Sequence, residues 1–367
     1  MHNQINTDIK IFTEKIANYK NIIDEDITVY SRNIRQTTLQ QYGAYARLES
    51  DAFLSILERG GKRIRGALTM LGYEMMGGAD QAMIIQAARA VEMIHAYILI
   101  VDDFQDRSIL RRGDKTAHVS LQDYHSKHGL AGDSAHFGAS IAWNAALTGN
   151  HAAQIILANL NIDPELRLKV LSIMNRTMVV TGHGQTYDIM NQVVAEATEA
   201  DVERVMEWKT TTYTILNPLH VGMVLAGADC LYTDAITPYA IHTGKAFQIT
   251  DDIIGTFGSE EELGKSPVDD MREGKRTLLT VHALHHAKRA DKNFLIQMLG
   301  NDHIKPAEFE RCKSILIESG AVEYAQARAT QEAKAALKAL SKQDDIWSPR
   351  GIQFLRGLVG FILNRHS

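Results

Sequence analysis

No proline occurs in the first 163 residues of this chain; its six prolines stand at 164, 218, 238, 267, 306 and 349. Proline removes a backbone donor and clashes with the preceding turn, so its absence leaves long helices uninterrupted. Apolar residues recur at helical spacing, as in Phe53, Leu54 and Leu57, and in Val91, Ile94, Ile98 and Val101. Valine- and threonine-rich alternation between hairpin turn pairs is hardly seen. The expectation is an all-α chain with one helical domain. Breaks are expected at Gly60-Gly61, Gly77-Gly78, Arg112-Gly113-Asp114, Asn161 to Pro164, Gly227 to Asp229 and Gly258 to Pro267. They leave helices of about 15–30 residues. Residues 322–341 read as an amphipathic helix with a solvated face. Residues 1–40 read as a polar helical lead-in, and 41–367 as the domain that carries the chemistry.

The formal net charge of −5 gives no sign of a nucleic-acid or anionic-membrane partner. Basic residues cluster only locally, at 62–65, 111–112 and 272–276, which suits a small anionic ligand. Cys230 and Cys312 lack metal or redox spacing and are expected to be inert packing residues in a reducing compartment. No secretory signal is read at the N-terminus. Apolar runs such as 96–101 fall short of the roughly 20 residues that span a bilayer. A cytoplasmic protein with no transmembrane segment is expected.

Two aspartate pairs, 149 residues apart (251 − 102), close apolar helical runs. The first reads Tyr97-Ile-Leu-Ile-Val-Asp102-Asp103-Phe-Gln-Asp106, the second Phe247-Gln248-Ile-Thr-Asp251-Asp252. A charge in an apolar run costs desolvation unless it is paired or bound to metal. Adjacent carboxylates cost more, because each raises the other's pKa. Asp102 and Asp106 are i and i+4, on one helix face and about 6 Å apart along the axis. A D-D-x-x-D string alone is most often a solvated or capping cluster; the apolar lead-in and the second pair argue for Mg²⁺ shared with a substrate diphosphate. Gly60-Gly61-Lys62-Arg63-Ile64-Arg65 supplies glycine-freed amides beside three cations, a cradle for an anion. Arg111-Arg112 follows Asp106 within reach of the same phosphates.

In these motifs the chain resembles the trans-isoprenyl diphosphate synthases, head-to-tail prenyltransferases. Six family motifs appear in order, at Gly60–Arg65, Asp102–Asp106, Arg111–Gly113, Lys209-Thr210, Phe247–Asp252 and Gly264–Asp270. The match runs from about residue 55 to the end. The resemblance implies a helical bundle of the isoprenoid synthase type with its active site in a central cavity. It implies that Asp102, Asp106 and Asp251 bind Mg²⁺, with Asp103 and Asp252 in support. Arg111 and Lys265 would neutralise an allylic diphosphate (dimethylallyl, geranyl or farnesyl). Lys62, Arg65, His95 and Arg112 would hold isopentenyl diphosphate. Lys209, Thr210 and Gln248 would line the reacting centre. A homodimer is also implied.

Four positions depart from the family pattern. Gly66 stands for a common proline, Val101 for a frequent histidine, Gly255 for the third aspartate of the second motif, and Asn150 where many members have Gly-Asp. Tyr97 with Ile98 after it, five residues before Asp102, would act as a chain-length floor and favours a geranylgeranyl product. Asp188, in Gly184-Gln-Thr-Tyr-Asp188, would either orient a ligand or bond within the bundle. His282, His285 and His286 read as a solvated helix face, as do His125 and His128. Rival readings are a same-fold terpene cyclase and a non-catalytic partner subunit. The basic loop argues against the first and the retained aspartates against the second.

Overall fold

A computed structural model describes residues 2–264, 266–341 and 347–365, excepting the side chains of residues 2–5 and 262. The fold is all-α, and its chain divides into two compact units.

The first unit comprises Glu14–Ser172 and Val221–Gly227. Its helices are α1 (His2–Glu58, whose start lies outside the unit), α2 (Ile64–Met75), α3 (Gln81–Gln105), α4 (Ala117–Lys127) and α5 (Ser134–Ala158). Gly43 breaks α1 with φ 84° and ψ −173°. Aspartates set two helix starts: Asp80 accepts from the Met83 N–H, and Asp133 from Ala135 and His136. α3 packs on α2 and α5 through Ala87, Ala88, Ala90, Val91 and Ile94, all buried. By length and composition α3 could cross a membrane, but it is a core helix here. α5 lies close on α4, for a Cβ on Gly138 would fall 2.4 Å from the His118 carbonyl oxygen. Between α3 and α4 runs a short hairpin, β1 (Leu110–Arg111) against β2 (Asp114–Lys115). Its turn residues Arg112 and Gly113 have φ 56° and 77°. This is the turn sense that matches strand twist, and it is strained for arginine. The lead-in helix belongs to the core: Tyr19, Ile23 and Ile27 are buried.

The second unit comprises Met1–Thr13, Ile173–His220 and Ala228–Ser367. Its main elements are α6 (Pro164–Val193, which begins before it), α7 (Glu199–Val205), a π-helical stretch Met206–Leu216, α8 (Asn217–Leu225, which ends beyond it) and α9 (Cys230–Phe257). Four short helices follow, α10 (Glu260–Leu263), α11 (Asp269–Arg272), α12 (Leu278–His286) and α13 (Arg289–Met298). The chain closes with α14 (Pro306–Glu318), α15 (Ala321–Ser341) and α16 (Pro349–Leu363). α15 runs along α9 with Ala325, Ala329, Ala333 and Ala336 buried, the apolar face expected for 322–341. The Tyr239 hydroxyl, fully buried, donates to the Leu355 carbonyl at 2.8 Å. Phe12 packs edge-on against Phe354.

Three sequence readings need correction. His125 is buried, with its ring 3.1 Å from the Ala131 carbonyl and tilted on Phe137. His282 stacks between His286 and Tyr324 rather than standing in solvent. Cys312 is a packing residue, but Cys230 is exposed.

Candidate active site

In the first unit, α3 ends on the first aspartate set. Asp103 is fully buried and Asp106, the last-turn cap, nearly so. Asp102 is more open, with its side chain 18% exposed. The hairpin brings Arg111 onto this cluster. Its Nε donates to Asp103 Oδ1 at 2.7 Å, its Nη2 bonds the same oxygen, and Asp102 Oδ2 lies 3.5 Å away. Burial raises the Asp103 carboxyl to about 6; Arg111 opposes that rise, and Asp102 and Asp106 add to it. The other oxygen of Asp103 is buried with no hydrogen-bond partner among the described residues.

The basic loop lies in the same unit. Arg112 reaches back to it, its Nη1 donating to the Gly60 carbonyl. Gly61, at φ 114°, is required there: a Cβ would sit 2.7 Å from Arg112 Nη2. Arg65 Nη1 approaches His95 Nε2 at 3.3 Å, while Lys62 is exposed. His95 is held well below the ordinary histidine pKa, first by burial and then by Arg65, Arg112, Arg111 and Arg63. The surrounding arginines disfavour a further positive charge on the imidazole. Tyr97 and Ile98 lie half-buried between His95 and Asp102 along α3.

In the second unit, α9 presents the second pair. Gln248 Nε2 donates to Asp252 Oδ1 at 2.7 Å, one turn along the helix. Asp252 is pushed up to about 8: burial raises it, Gln248 lowers it, and Asp270 and Asp251 raise it again. Asp251 is bound by Arg365, whose Nη1 lies 2.6 Å from Oδ1, with the guanidinium over the Phe247 ring. Beside Gly255, where the third aspartate is missing, stands another carboxylate: a Cβ there would lie 3.4 Å from Asp270 Oδ2. Lys209 and Thr210 sit in the π-helical stretch, the rarer geometry that recurs at functional sites. Gly184 of α6 lets that stretch approach, because a Cβ would fall 2.3 Å from the Lys209 nitrogen. Lys209 Nζ donates to Asp188 Oδ2 at 2.6 Å, so Asp188 bonds within the unit. Lys265 lies outside the described residues.

The structure therefore brings Lys62, Arg65, His95 and Arg112 into one neighbourhood along α3, and Asp102, Asp103, Asp106 and Arg111 into another at its C-terminal end. Sequence reasoning missed the contacts of Arg365 and Asp270. Asp270 closes the last family motif, and no motif surrounds Arg365.

The sequence model of the polyprenyl synthetase family matches residues 47–316. This chain belongs to the polyprenyl synthetase family. The synthetase is 31% identical to a geranylgeranyl diphosphate synthase of Saccharolobus solfataricus, over 86% of this chain and 90% of that protein. It is 30% identical to a geranylfarnesyl diphosphate synthase of Aeropyrum pernix, over 86% of this chain and 94% of that one. Among solved structures it resembles a geranylgeranyl pyrophosphate synthase from Corynebacterium glutamicum complexed with isoprenyl diphosphate and magnesium. The TM-score is 0.89 at 28% identity, covering 95% of this chain and 98% of that one. The synthetase is an enzyme, a trans-prenyltransferase with the all-α fold of its relatives.

Proposed function

We propose that this synthetase condenses isopentenyl diphosphate with an allylic diphosphate and forms geranylgeranyl diphosphate. The observation that supports it most is the arrangement of α3. His95, with Arg65 and Arg112 near it, stands seven residues before Asp102, about 10 Å along a helix. A cluster of cations gathered at His95 and a carboxylate set thus meet along one helix, and Tyr97 and Ile98 lie between them. A half-buried tyrosine with a smaller neighbour suits a floor for a growing chain of twenty carbons. Geranylgeranyl synthases among the relatives favour the same product.

Mg²⁺ fits the carboxylates present. Asp103 keeps a buried oxygen without a hydrogen-bond partner among the described residues, and Asp252 is held far above the usual carboxylate range. Both are carboxyl groups whose ionised form the protein alone does not fully stabilise, and a bound cation would supply that stabilisation. Among the described residues no three His, Cys, Asp or Glu groups already form a cage. Mg²⁺ ordinarily completes its shell with water and substrate phosphate oxygens. Asp102, Asp103 and Asp106 would hold Mg²⁺ in the first unit, and Asp251 and Asp252 in the second; when bound it would neutralise the leaving diphosphate.

The other roles belong to the chain's own residues. Arg111 and Lys265 would add positive charge at the allylic diphosphate, with Lys209 near it. Lys62, Arg65, His95 and Arg112 would hold isopentenyl diphosphate. Ionisation leaves an allylic cation, which the dipoles of Lys209, Thr210 and Gln248 would stabilise and the apolar run before Asp102 would keep from water. The isopentenyl double bond then attacks, and the released diphosphate takes the proton. The enzyme is proposed to work in the cytoplasm as a homodimer. α5 supports that, for it exposes Trp143, Leu147 and Ile155 at helical spacing.

The test is incubation with Mg²⁺, isopentenyl diphosphate and each of three primers (dimethylallyl, geranyl and farnesyl), followed by separation of the dephosphorylated alcohols. Mainly geranylgeraniol is expected. Farnesol or a longer ladder would retain the reaction and reject the Tyr97 floor.

A further inference from the structure

Arg63, between Lys62 and Arg65, is the most constrained residue of the basic loop. It is 5% exposed and caps the start of α2 in the left-handed region, at φ 49° and ψ 34°. A side chain stays in that region only where its surroundings over-determine it. Three groups do so here. Asp24 Oδ1 accepts from Nε at 2.7 Å, Glu92 Oε2 from Nη1 at 3.2 Å, and the Leu57 carbonyl from Nη2 at 2.7 Å.

Glu92 has a second task. Its other oxygen accepts the Gly66 N–H at 2.8 Å, capping the first turn of α2 from a neighbouring helix. Proline at 66 would have no such donor. Glu92 also lies one turn before His95 on α3, and His95 meets Arg65. The buried pair of Glu92 and Arg63 thus ties the loop to the turn of α3 that faces it. Asp24 completes the clamp from the lead-in helix. That helix is further seated by Asp26, bonded to Arg89 at 2.7 Å, and by Ile23, whose Cδ1 lies 2.8 Å from where a Gly66 Cβ would stand.

We propose that Asp24 is a positioning residue for isopentenyl diphosphate binding: through Arg63 it fixes the directions of Lys62 and Arg65. The lead-in helix, outside the residues 47–316 that define the family match, is then part of the substrate-binding apparatus. This rests on the reading that Lys62, Arg65, His95 and Arg112 hold isopentenyl diphosphate.

The test is steady-state kinetics on the full chain, varying each substrate in turn, with thermal melting recorded alongside. D24N is isosteric and half-exposed in its setting. It is expected to raise KM for isopentenyl diphosphate about tenfold and to leave KM for the allylic substrate and kcat within about twofold. D24E keeps a misplaced carboxylate and should raise the same KM about threefold. K20M removes the other cation on Asp24 and should leave both KM values unchanged. K62A is the control for the underlying reading. If K62A leaves KM for isopentenyl diphosphate unmoved, that reading fails. If K62A raises it and D24N only lowers the melting temperature, the ion pair is structural and the proposal is overturned. Should D24N not fold, D24E decides alone, and an unchanged KM overturns the proposal.

Discussion

Each aspartate pair is met by an arginine, but the two arginines come from very different places in the chain. Arg111 follows Asp103 by eight residues, on a hairpin rigid enough to force Arg112 to positive φ, and its partner is fully buried. Arg365 reaches Asp251 from 114 residues away, and that carboxylate remains 34% exposed. A buried pair with a local partner is a fixed part of the fold, because separating it strands a charge. A half-open pair is easier to separate, and at the proposed metal site a cation binding Asp251 would compete with Arg365.

The comparison can be broken at several points. Asp102→Ala removes a carboxylate from the proposed metal set and should lower kcat about a thousandfold. Product formation within tenfold of the parent would remove Asp102 from that set. Arg111→Ala strands Asp103 and should cost about 3–5 kcal/mol in denaturant unfolding. A loss below about 1 kcal/mol would place this pair in the same class as the other. Arg365→Ala should change stability by less than about 1 kcal/mol. It should also tighten Mn²⁺ binding, read by electron paramagnetic resonance, by about threefold through loss of the competing cation. Unchanged or weaker binding would mean that Arg365 does not compete with the metal.

The smallest effect concerns protons. With a pKa of about 8, Asp252 is protonated at pH 7 in the metal-free protein. Metal binding lowers that pKa, so it should release up to about one proton at pH 7, and progressively less as the pH rises above 8. Calorimetry in buffers of different ionisation heat reads this release directly, and Asp252→Asn should abolish it. Release that persists in the variant would assign the proton elsewhere.

What could be read beforehand follows the same division between near and far. The helices and the long breaks follow from proline placement and apolar period, which act over a few residues. Arg111 was legible because its motif sits beside the aspartates. Asp24 was not, since no motif surrounds it and the sequence reads Arg63 only as one of the three cations of the anion cradle. His125 looked solvated because its burial comes from the fold of the following loop and Phe137. Gly255 read as one carboxylate lost; only the fold shows Asp270 standing beside it. The π-helical stretch leaves no periodic signature, because its apolar spacing differs from an α-helix by a fraction of a residue per turn.

That stretch bears on how the chain can tolerate changes in length. Its end still carries the wide spacing, the Asn217 N–H bonding the Thr212 carbonyl five residues back. In an α-helix, one residue fewer would rotate everything downstream by about 100°. Between Met206 and Leu216 a deletion is instead expected to be taken up in part by tightening toward α-helical spacing, with the largest change at Lys209 and Thr210. The segment is therefore where a one-codon change could retune the reacting centre with least disturbance to the helices on either side.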